Sequence, residues 1–311
     1  MDIILDTDLG SDCDDAMALA YLIYAQKNLG VNIKAVTLSH HDWKDCAPAV
    51  RSFFRYFGAS QVPVGKMAGG PVCDDNYCNA ISTRFAEKED HSEPDEAVKV
   101  LRKALSESKD CVLCAIGPLT NIAALLESKA DEISEMDGQA LVKEKCSKIV
   151  LMAGEFNIDT NGKARPEWNV KLDVSASKNV MDLAPVETVL LPFDVGEGMM
   201  SGKPLMDKYG ENNPVSLALL TYPWVDKQRG RHSWDPATLV YAVEGVKDLF
   251  IESEAGKITV DDFGGTYFKP CENGLHKYLQ LKEKKGLSIQ MCKDECAAYI
   301  NDCAMKVSDD K

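Results

Sequence analysis

Five aspartates fall within ten residues directly after the first apolar run of the chain: Asp6, Asp8, Asp12, Asp14 and Asp15. Carboxylates this crowded repel one another, and no Lys or Arg occurs between Met1 and Lys27 to compensate them. Because Ca²⁺ and Mg²⁺ prefer oxygen ligands, a hard divalent cation is the simplest remedy. The alternative is a solvated acidic turn that caps a helix through Asp12 or Asp14, which needs one aspartate rather than five. The loop therefore predicts a metal site.

Short apolar runs alternate with longer amphipathic stretches along the chain, which predicts βαβ units and an open, mainly parallel α/β sheet. The predicted strands are apolar throughout, as expected when helices cover both faces. In such a sheet, ligands bind beyond the carboxyl ends of the strands, where the aspartate loop falls. The predicted strands span 3–5, 31–38, 62–64, 111–116, 149–152 and 186–191, and the helices span 14–25, 47–57, 93–105, 119–126 and 174–183.

The remaining segments complete one predicted domain over residues 1–311. Segment 127–148 is charged and is predicted to be a loop with a solvated helix. Beyond Asp261, several glycines and Pro270 predict an irregular sheet edge, with a β-hairpin and then a helix from Lys293. Neither a repeat nor a Pro/Ser-rich linker interrupts the sequence.

Composition limits the partners and the compartment. The formal net charge of −14 repels nucleic acid polymers and anionic membranes, so a small neutral or cationic substrate fits better. The sequence has no apolar run long enough to span a membrane and no signal peptide at Met1. Its eleven cysteines are scattered rather than arranged as a disulfide framework or a zinc site, which predicts reduced thiols in the cytoplasm.

The aspartate loop resembles the N-terminal motif of the inosine–uridine type nucleoside hydrolases, and four later segments match that family in order. These segments are A-I-G-P-L-T-N at 115–121, V-L-M-A-G at 150–154, E-W-N at 167–169 and W-D-P at 234–236. Any one segment is weak evidence, but five in the expected order and at compatible spacing are strong. The resemblance implies a Rossmann-like fold and calcium-dependent hydrolysis of the N-glycosidic bond of ribonucleosides, releasing base and ribose. It also implies a homodimer or homotetramer that acts in purine salvage.

The resemblance implies a ligand set for one calcium ion. By motif position, Asp8, Asp15 and Asp235 supply carboxylates, and the backbone carbonyl of Ile116 completes the protein ligands. With one water and two ribose hydroxyls this makes about seven oxygens, which is within the range that calcium accepts. Asp8 is also implied as the base that takes a proton from the attacking water.

The resemblance assigns the sugar to a second set of positions. Asp12 is an alternative to Asp14 in this set, because the aspartate loop has two more residues than the commonest family form. Asp42 is an alternative to His41, because the family usually has Gly-Asn at the end of the second strand. The predicted sugar-binding residues are Asp14, His41, Asn161, Glu167 and Asn169.

Trp234 stands where many family members have a histidine that serves as the leaving-group acid. An indole cannot donate a proton usefully, but it can stack on a base, which is worth about 1–3 kcal/mol. Purine-preferring members also have Trp here and in the E-W-N motif, so Trp234 and Trp168 together predict a purine preference. Two alternatives stay open, that Trp234 belongs to the core and that His232 reaches the base.

Two other classes of protein share part of this pattern. A haloacid-dehalogenase-type phosphatase also begins with a strand and D-x-D-x-G, and it would use Asp6 as nucleophile, Asp8 as acid/base and Mg²⁺. It would not need the E-W-N and W-D-P segments. A metal-dependent protein that binds ribosyl groups without catalysis would retain Asp8, Asp15 and Asp235 and show no turnover.

Overall fold

The computed structural model of the chain describes residues 1–72 and 77–311. Two short 3₁₀ helices, Lys88–His91 and Gly210–Asn212, accompany the elements named below. The strands are β1 (Asp2–Thr7), β2 (Asn32–Leu38), β3 (Val64–Lys66), β4 (Asp95–Glu96), β5 (Cys111–Ala115), β6 (Cys146–Met152), β7 (Glu187–Leu191), β8 (Met200–Gly202), β9 (Gly230–His232), β10 (Phe250–Glu252), β11 (Gly256–Val260), β12 (Thr266–Pro270) and β13 (His276–Leu281). The α-helices are α1 (Asp14–Asn28), α2 (Trp43–Tyr56), α3 (Cys78–Phe85), α4 (Ala97–Ser106), α5 (Thr120–Glu127), α6 (Gly138–Lys145), α7 (Trp168–Leu172), α8 (Val174–Leu183), α9 (Phe193–Gly196), α10 (Lys203–Tyr209), α11 (Pro214–Thr221), α12 (Trp234–Glu244) and α13 (Ile289–Asp309).

Eleven of these strands form one open sheet with a parallel centre, and β8 and β9 pair antiparallel in a separate two-stranded sheet. The order of the open sheet is β12-β11-β13-β7-β6-β5-β1-β2-β3-β4, and β10 pairs with β13 outside this path. The strands from β13 to β4 in this order are parallel, whereas β10, β11 and β12 pair antiparallel at one edge. The mainly parallel α/β sheet is therefore confirmed. The hairpin predicted beyond Asp261 is formed by β11 and β12, and its first strand begins earlier, at Gly256.

Apolar layers cover both faces of this sheet, as predicted. Alternate residues of β1 point to opposite sides, so Ile3 and Leu5 join one buried cluster and Ile4 joins the other. The first cluster includes residues of α1, α2, α12 and α13, and the second includes residues of α4, α5, α6 and α8. In the part of the chain described, no helix combines the length and apolarity needed to cross a membrane.

Several element boundaries differ from the prediction. Helix α2 and strand β6 begin earlier than predicted, at Trp43 and Cys146, and three further starts have a local cause. Strand β3 begins after Pro63, because proline has no N–H to donate to a sheet. Helix α4 starts at Ala97, since the two preceding residues form the edge strand β4 instead of a first helical turn. Helix α13 begins at Ile289, where the side chain of Ser288 accepts the Met291 N–H as an N-cap.

The strand order reverses beside β1, which places a crevice there. From β1 the chain continues to β2, β3 and β4 on one side, and it then returns to β5 on the other side of β1. Connections that leave neighbouring strands in opposite directions open a crevice at the carboxyl ends of those strands. The aspartate loop follows β1, and the G-P-L-T-N segment follows β5, so both lie at this crevice.

The asparagine of the G-P-L-T-N segment holds these strand ends together. Asn121 donates to the carboxylate of Asp6 at 2.8 Å and to the carbonyl of Leu38 at 3.0 Å. The hydroxyl of Thr37 also donates to Asp6, which is fully buried. Asp6 is thereby used to join β1, β2 and α5 beneath the crevice.

We expect Asn121→Ala to lower the free energy of unfolding by about 1–3 kcal/mol, because it removes one donor from the buried Asp6 carboxylate and one from the Leu38 carbonyl. Urea unfolding followed by circular dichroism measures this loss. Asn28→Ala, at the exposed end of α1, is the matched control and should change stability by less than about 0.5 kcal/mol. Equal stability of the two variants would contradict the role of Asn121.

Candidate active site

A cavity of about 520 Å³ opens at the carboxyl ends of β1 and β5. Its lining comes from the aspartate loop, the β5–α5 loop, the ends of α7 and α9, and residues between 222 and 235. The volume lies within the range of small-molecule sites, and the position is the one that the strand reversal predicts.

Three buried carboxylates converge at the base of this cavity. Oxygens of Asp14, Asp15 and Asp235 lie within 4.8 Å of one another. Helices α1 and α12 begin here, and the carboxylate of Asp14 accepts the N–H groups of Trp234 at 3.0 Å and Asp235 at 3.1 Å. Asp8 lines the same cavity and is 4% exposed. The tightest group thus contains Asp14, with the predicted ligand Asp8 beside it.

Burial and mutual repulsion determine the charge behaviour of this cluster. Burial raises the pKa values of Asp14, Asp15 and Asp235 well above the ordinary range, and the neighbouring carboxylates raise them further. Burial likewise raises the pKa of Asp8 to about 7. The N-termini of α1 and α12 carry partial positive charge, which offsets part of this cost.

The donor set fits a hard divalent cation. One carboxylate oxygen of Asp15 accepts from the hydroxyl of Thr7. The other oxygen, Oδ2, is buried and lacks a hydrogen-bond partner among the described residues. A buried carboxylate oxygen without a partner is costly, and a cation that takes oxygen ligands would satisfy it.

A residue far along the chain compensates Asp12. Arg231 donates to the Asp12 carboxylate through Nε, at 2.9 Å from Oδ1, and through Nη2. The local sequence shows no cation within reach of the aspartate loop, because Arg231 is brought there only by the fold. A metal ion would therefore compensate the carboxylates of Asp8, Asp14, Asp15 and Asp235, and not that of Asp12.

The β5–α5 loop packs directly against Asp8. Ile116 lines the cavity, and its carbonyl accepts from the side chain of Asn169 at 3.3 Å. A Cβ on Gly117 would lie 2.8 Å from Oδ1 of Asp8 and 2.6 Å from the hydroxyl of Ser39. Only glycine fits at 117 without displacing that carboxylate.

The E-W-N segment connects strand ends and also lines the cavity. Glu167 caps α7 by accepting the N–H of Asn169 at 2.9 Å and that of Val170 at 3.2 Å, and it also accepts the N–H of Gly154 at 3.2 Å. Burial, opposed by these hydrogen bonds, raises the pKa of Glu167 to about 7. Asn169 donates to the carbonyls of Ile116 and Met152, so it joins β5 to β6. Trp168 is 54% exposed at the cavity mouth.

Trp234 lines the cavity and also packs against the core. Its indole N–H donates to the carbonyl of Phe193 at 2.8 Å, and the two rings stack with centroids 5.2 Å apart. A Cβ on Gly196 would lie 2.4 Å from the indole, so this glycine makes room for the ring. The side chain is therefore held rigidly, with part of its surface available in the cavity.

Three histidine or asparagine side chains lie away from the cavity lining. Asn161 is exposed in a turn closed by Asp159, which accepts its backbone N–H at 2.8 Å. His41 is exposed and stacks on His40 at 4.8 Å. His232 accepts the N–H of Gly198 at 2.7 Å, which turns its Nδ1 to the backbone. The sugar-binding roles of Asn161 and His41 stay predictions.

The cavity also contains side chains that the sequence motifs did not identify. The local density of aromatic residues could have indicated Tyr222 and Trp224, whereas Phe193 and Arg231 reach the cavity only through contacts across long sequence separations. Ser11 and Met152 lie within motif segments, but the motifs gave their side chains no role.

The fold is an open α/β sheet, and buried carboxylates lie where its strand order reverses. The protein is therefore of the α/β class and has a candidate metal centre. The family model described as "Inosine-uridine preferring nucleoside hydrolase" matches residues 3–294. The chain belongs to this family of enzymes, which hydrolyse ribonucleosides.

Solved structures support the fold. The Bacillus anthracis inosine–uridine preferring nucleoside hydrolase is similar with a TM-score of 0.70 and 16% identity, over 100% of this chain and 99% of that one. A purine-preferring ribonucleoside hydrolase from Gardnerella vaginalis gives 0.67 and 20% identity, over 98% and 99%. An inosine–guanosine nucleoside hydrolase gives 0.71 and 16%, over 99% and 98%. An uncharacterized Schizosaccharomyces pombe protein is 34% identical over 83 residues, which are 27% of this chain and 23% of that protein.

We expect divalent cations to stabilise the folded chain, because binding satisfies Asp15 Oδ2 and neutralises buried charge. At a free concentration one hundred times Kd, the gain is about 2.7 kcal/mol. Thermal melts with Ca²⁺, Mg²⁺ or EDTA measure it. The rise in Tm should disappear in Asp15→Asn and persist in Asp207→Asn, an exposed control on α10. An unchanged wild-type Tm in all three conditions would rule out a metal at this cluster.

Proposed function

We propose that this protein is a calcium-dependent N-ribohydrolase that prefers purine nucleosides and releases free base and ribose. The observation that carries the proposal is a group of three converging buried carboxylates, with Asp8 beside it, at a cavity that is also lined by the E-W-N and W-D-P segments. These segments lie far apart in the sequence, and the family match spans all of them. The match favours this function over the phosphatase alternative, whose chemistry would leave both segments without a role.

Four groups are proposed to hold the calcium ion: the carboxylates of Asp8, Asp15 and Asp235 and the carbonyl of Ile116. Asp14, which lies within the same group of oxygens, is close enough to act as a further ligand or to contact a ribose hydroxyl. When bound, calcium would orient the ribose hydroxyls and lower the pKa of the attacking water.

Asp8 is proposed as the general base. Its carboxylate takes one proton from the water as the water oxygen bonds to C1′ of the ribose. The electron pair of the C1′–N bond leaves with the base, and the proton returns to the base through solvent. The transition state resembles an oxocarbenium ion, which the surrounding carboxylates stabilise.

The sugar and base are proposed to occupy opposite sides of the metal site. Glu167 and Asn169 lie on the side of β6 and would hold the sugar, with Trp168 at the entrance. Asn161 and His41 would reach the sugar only after the loops that carry them move. Trp234 adjoins the proposed ligand Asp235 and would stack on the base, which supports the purine preference.

The cellular location and the assembly of the enzyme are also proposed. None of the ten cysteines among the described residues is in a disulfide, which supports a cytoplasmic location. We propose one domain over residues 1–311, which assembles as a homodimer or homotetramer and acts in purine salvage. Sedimentation equilibrium measures the assembly, and a monomer at micromolar concentration would contradict it.

We expect Asp8→Asn to reduce the kcat for inosine by at least about 10²-fold, because it removes the base and weakens metal binding together. Release of free base and ribose from a nucleoside panel with Ca²⁺ measures this. Asp302→Asn, an exposed substitution on α13, is the control. Near-normal turnover by Asp8→Asn would refute the role of Asp8, and ribose binding without turnover by the wild type would establish the non-catalytic alternative.

We expect Trp234→Ala to reduce kcat/KM for purine nucleosides by about 1–3 kcal/mol and to affect pyrimidine nucleosides less, because smaller bases stack less. Trp234→Phe should recover much of this loss. Trp43→Ala, which removes an indole outside the cavity lining, is the control. Equal losses for both substrate classes would contradict a stacking role for Trp234.

A further inference from the structure

The proposed reaction leaves one chemical requirement without a residue. The departing base carries the electron pair of the broken C1′–N bond, and an indole such as that of Trp234 cannot usefully protonate it. The ring of His232 lies 4.9 Å from that of Trp234, but it is outside the cavity lining and its Nδ1 accepts the N–H of Gly198. Every titratable side chain in the described lining is acidic or phenolic except Arg231. The guanidinium of Arg231 is therefore the cationic group in the described lining that could bind the departing base.

The fold holds the guanidinium of Arg231 against two aromatic rings. Its Cζ lies 5.2 Å from the centroid of the Trp234 ring and 5.4 Å from that of Tyr222. The side chain is 17% exposed, and its carboxylate partner Asp12 is 27% exposed. These two contacts and the ion pair with Asp12 hold the guanidinium next to the surface proposed to receive the base.

The hydrogen bonds of Arg231 leave one edge directed away from Asp12. Asp12 occupies the side edge formed by Nε and Nη2. The end of the group presents one N–H from each Nη, and Nη1 also donates to the carbonyl of Trp224 at 3.4 Å. Burial opposes the positive charge, but the hydrogen bonds and charge of Asp12 raise the pKa of Arg231 above its ordinary value. The group thus stays a cation with donors and no acceptor.

We propose that Arg231, positioned by Asp12, binds the O6/N7 edge of a 6-oxopurine and offsets the negative charge of the departing base. The proposal rests on the proposed function and names its substrate class. Hypoxanthine and guanine present two acceptors on this edge, and arginine pairs with both. Adenine presents one acceptor and an amino donor, and a guanidinium cannot accept from that donor.

The role is electrostatic and changes no bond on Arg231. Water supplies the oxygen that bonds to C1′, Asp8 holds the proton removed from that water, and the base leaves as an anion with the bond pair. Arg231 stabilises that anion while it lies in the cavity, and solvent later protonates it. No oxidant, reductant or further reactant is needed.

The test compares three substrates with three leaving groups: inosine, adenosine and p-nitrophenyl β-D-ribofuranoside. Nitrophenolate leaves readily without charge stabilisation, so this substrate reports on the sugar and water steps alone. The variants are Arg231→Gln and Arg231→Gln with Asp12→Asn, which also removes the carboxylate left unpaired. Arg229→Gln, an exposed substitution in the same segment, is the matched control, and thermal melts check that each variant folds.

We expect wild-type kcat/KM to favour inosine over adenosine by at least about tenfold. Arg231→Gln should lower the value for inosine by about 10–100-fold, that for adenosine by a few-fold, and that for the nitrophenyl riboside hardly at all. The double variant should retain this pattern, and Arg229→Gln should match the wild type. Asp12→Asn alone should lower the inosine-to-adenosine ratio without changing nitrophenyl riboside hydrolysis, which marks a positioning residue.

Other outcomes distinguish a failure of the role of Arg231 from a failure of the proposed function. A wild-type enzyme that hydrolyses all three substrates, with a ratio unchanged by Arg231→Gln, would overturn the role of Arg231 alone. Equal losses on all three substrates, or recovery of the ratio in the double variant, would also overturn it. A wild-type protein that releases neither base nor nitrophenolate would overturn the proposed function and this inference with it.

Discussion

The burial of several carboxylates at one point is the constraint on which the rest of the structure depends. Asp8, Asp14, Asp15 and Asp235 lie at the base of a cavity, and each is 4% exposed or less. Like charges at this separation in a poorly hydrated site repel strongly, so the surrounding elements must supply compensating charge or hydrogen-bond donors. Much of the local architecture is explained by this requirement.

The compensation comes from several levels of structure. Helices α1 and α12 begin at the cluster, and two N–H groups in the first turn of α12 donate to the carboxylate of Asp14. Arg231 neutralises Asp12 at the rim, while Asn121 and a threonine hydroxyl both donate to one oxygen of the deeper Asp6. The other oxygen of Asp6 and one oxygen of Asp15 have no hydrogen-bond partner among the described residues, and the Asp15 oxygen, which lies in the cluster, is the one that a cation would satisfy.

The motif residues serve both the fold and the cavity. Glu167 caps a short helix, and Asn169 joins the ends of β5 and β6, yet both side chains also line the cavity. Their positions are therefore fixed by hydrogen bonds before any substrate arrives, which reduces the entropy lost on binding. The same holds for Trp234, whose indole is held by Phe193 and accommodated by Gly196.

The sequence by itself determined the sheet class, the layering and the location of the site, because apolar periodicity and the order of motifs are local properties. It did not give the first residues of α4 and β3, because the pairing of an edge strand sets the start of α4 and a proline sets the start of β3. Contacts across long separations were decided only by the tertiary structure. The pairing of Asp12 with Arg231, 219 residues later, is such a contact. The tertiary structure also decided that Tyr222 lines the cavity and that Asn161 is exposed. No local pattern carries such contacts, because they depend on how whole elements pack.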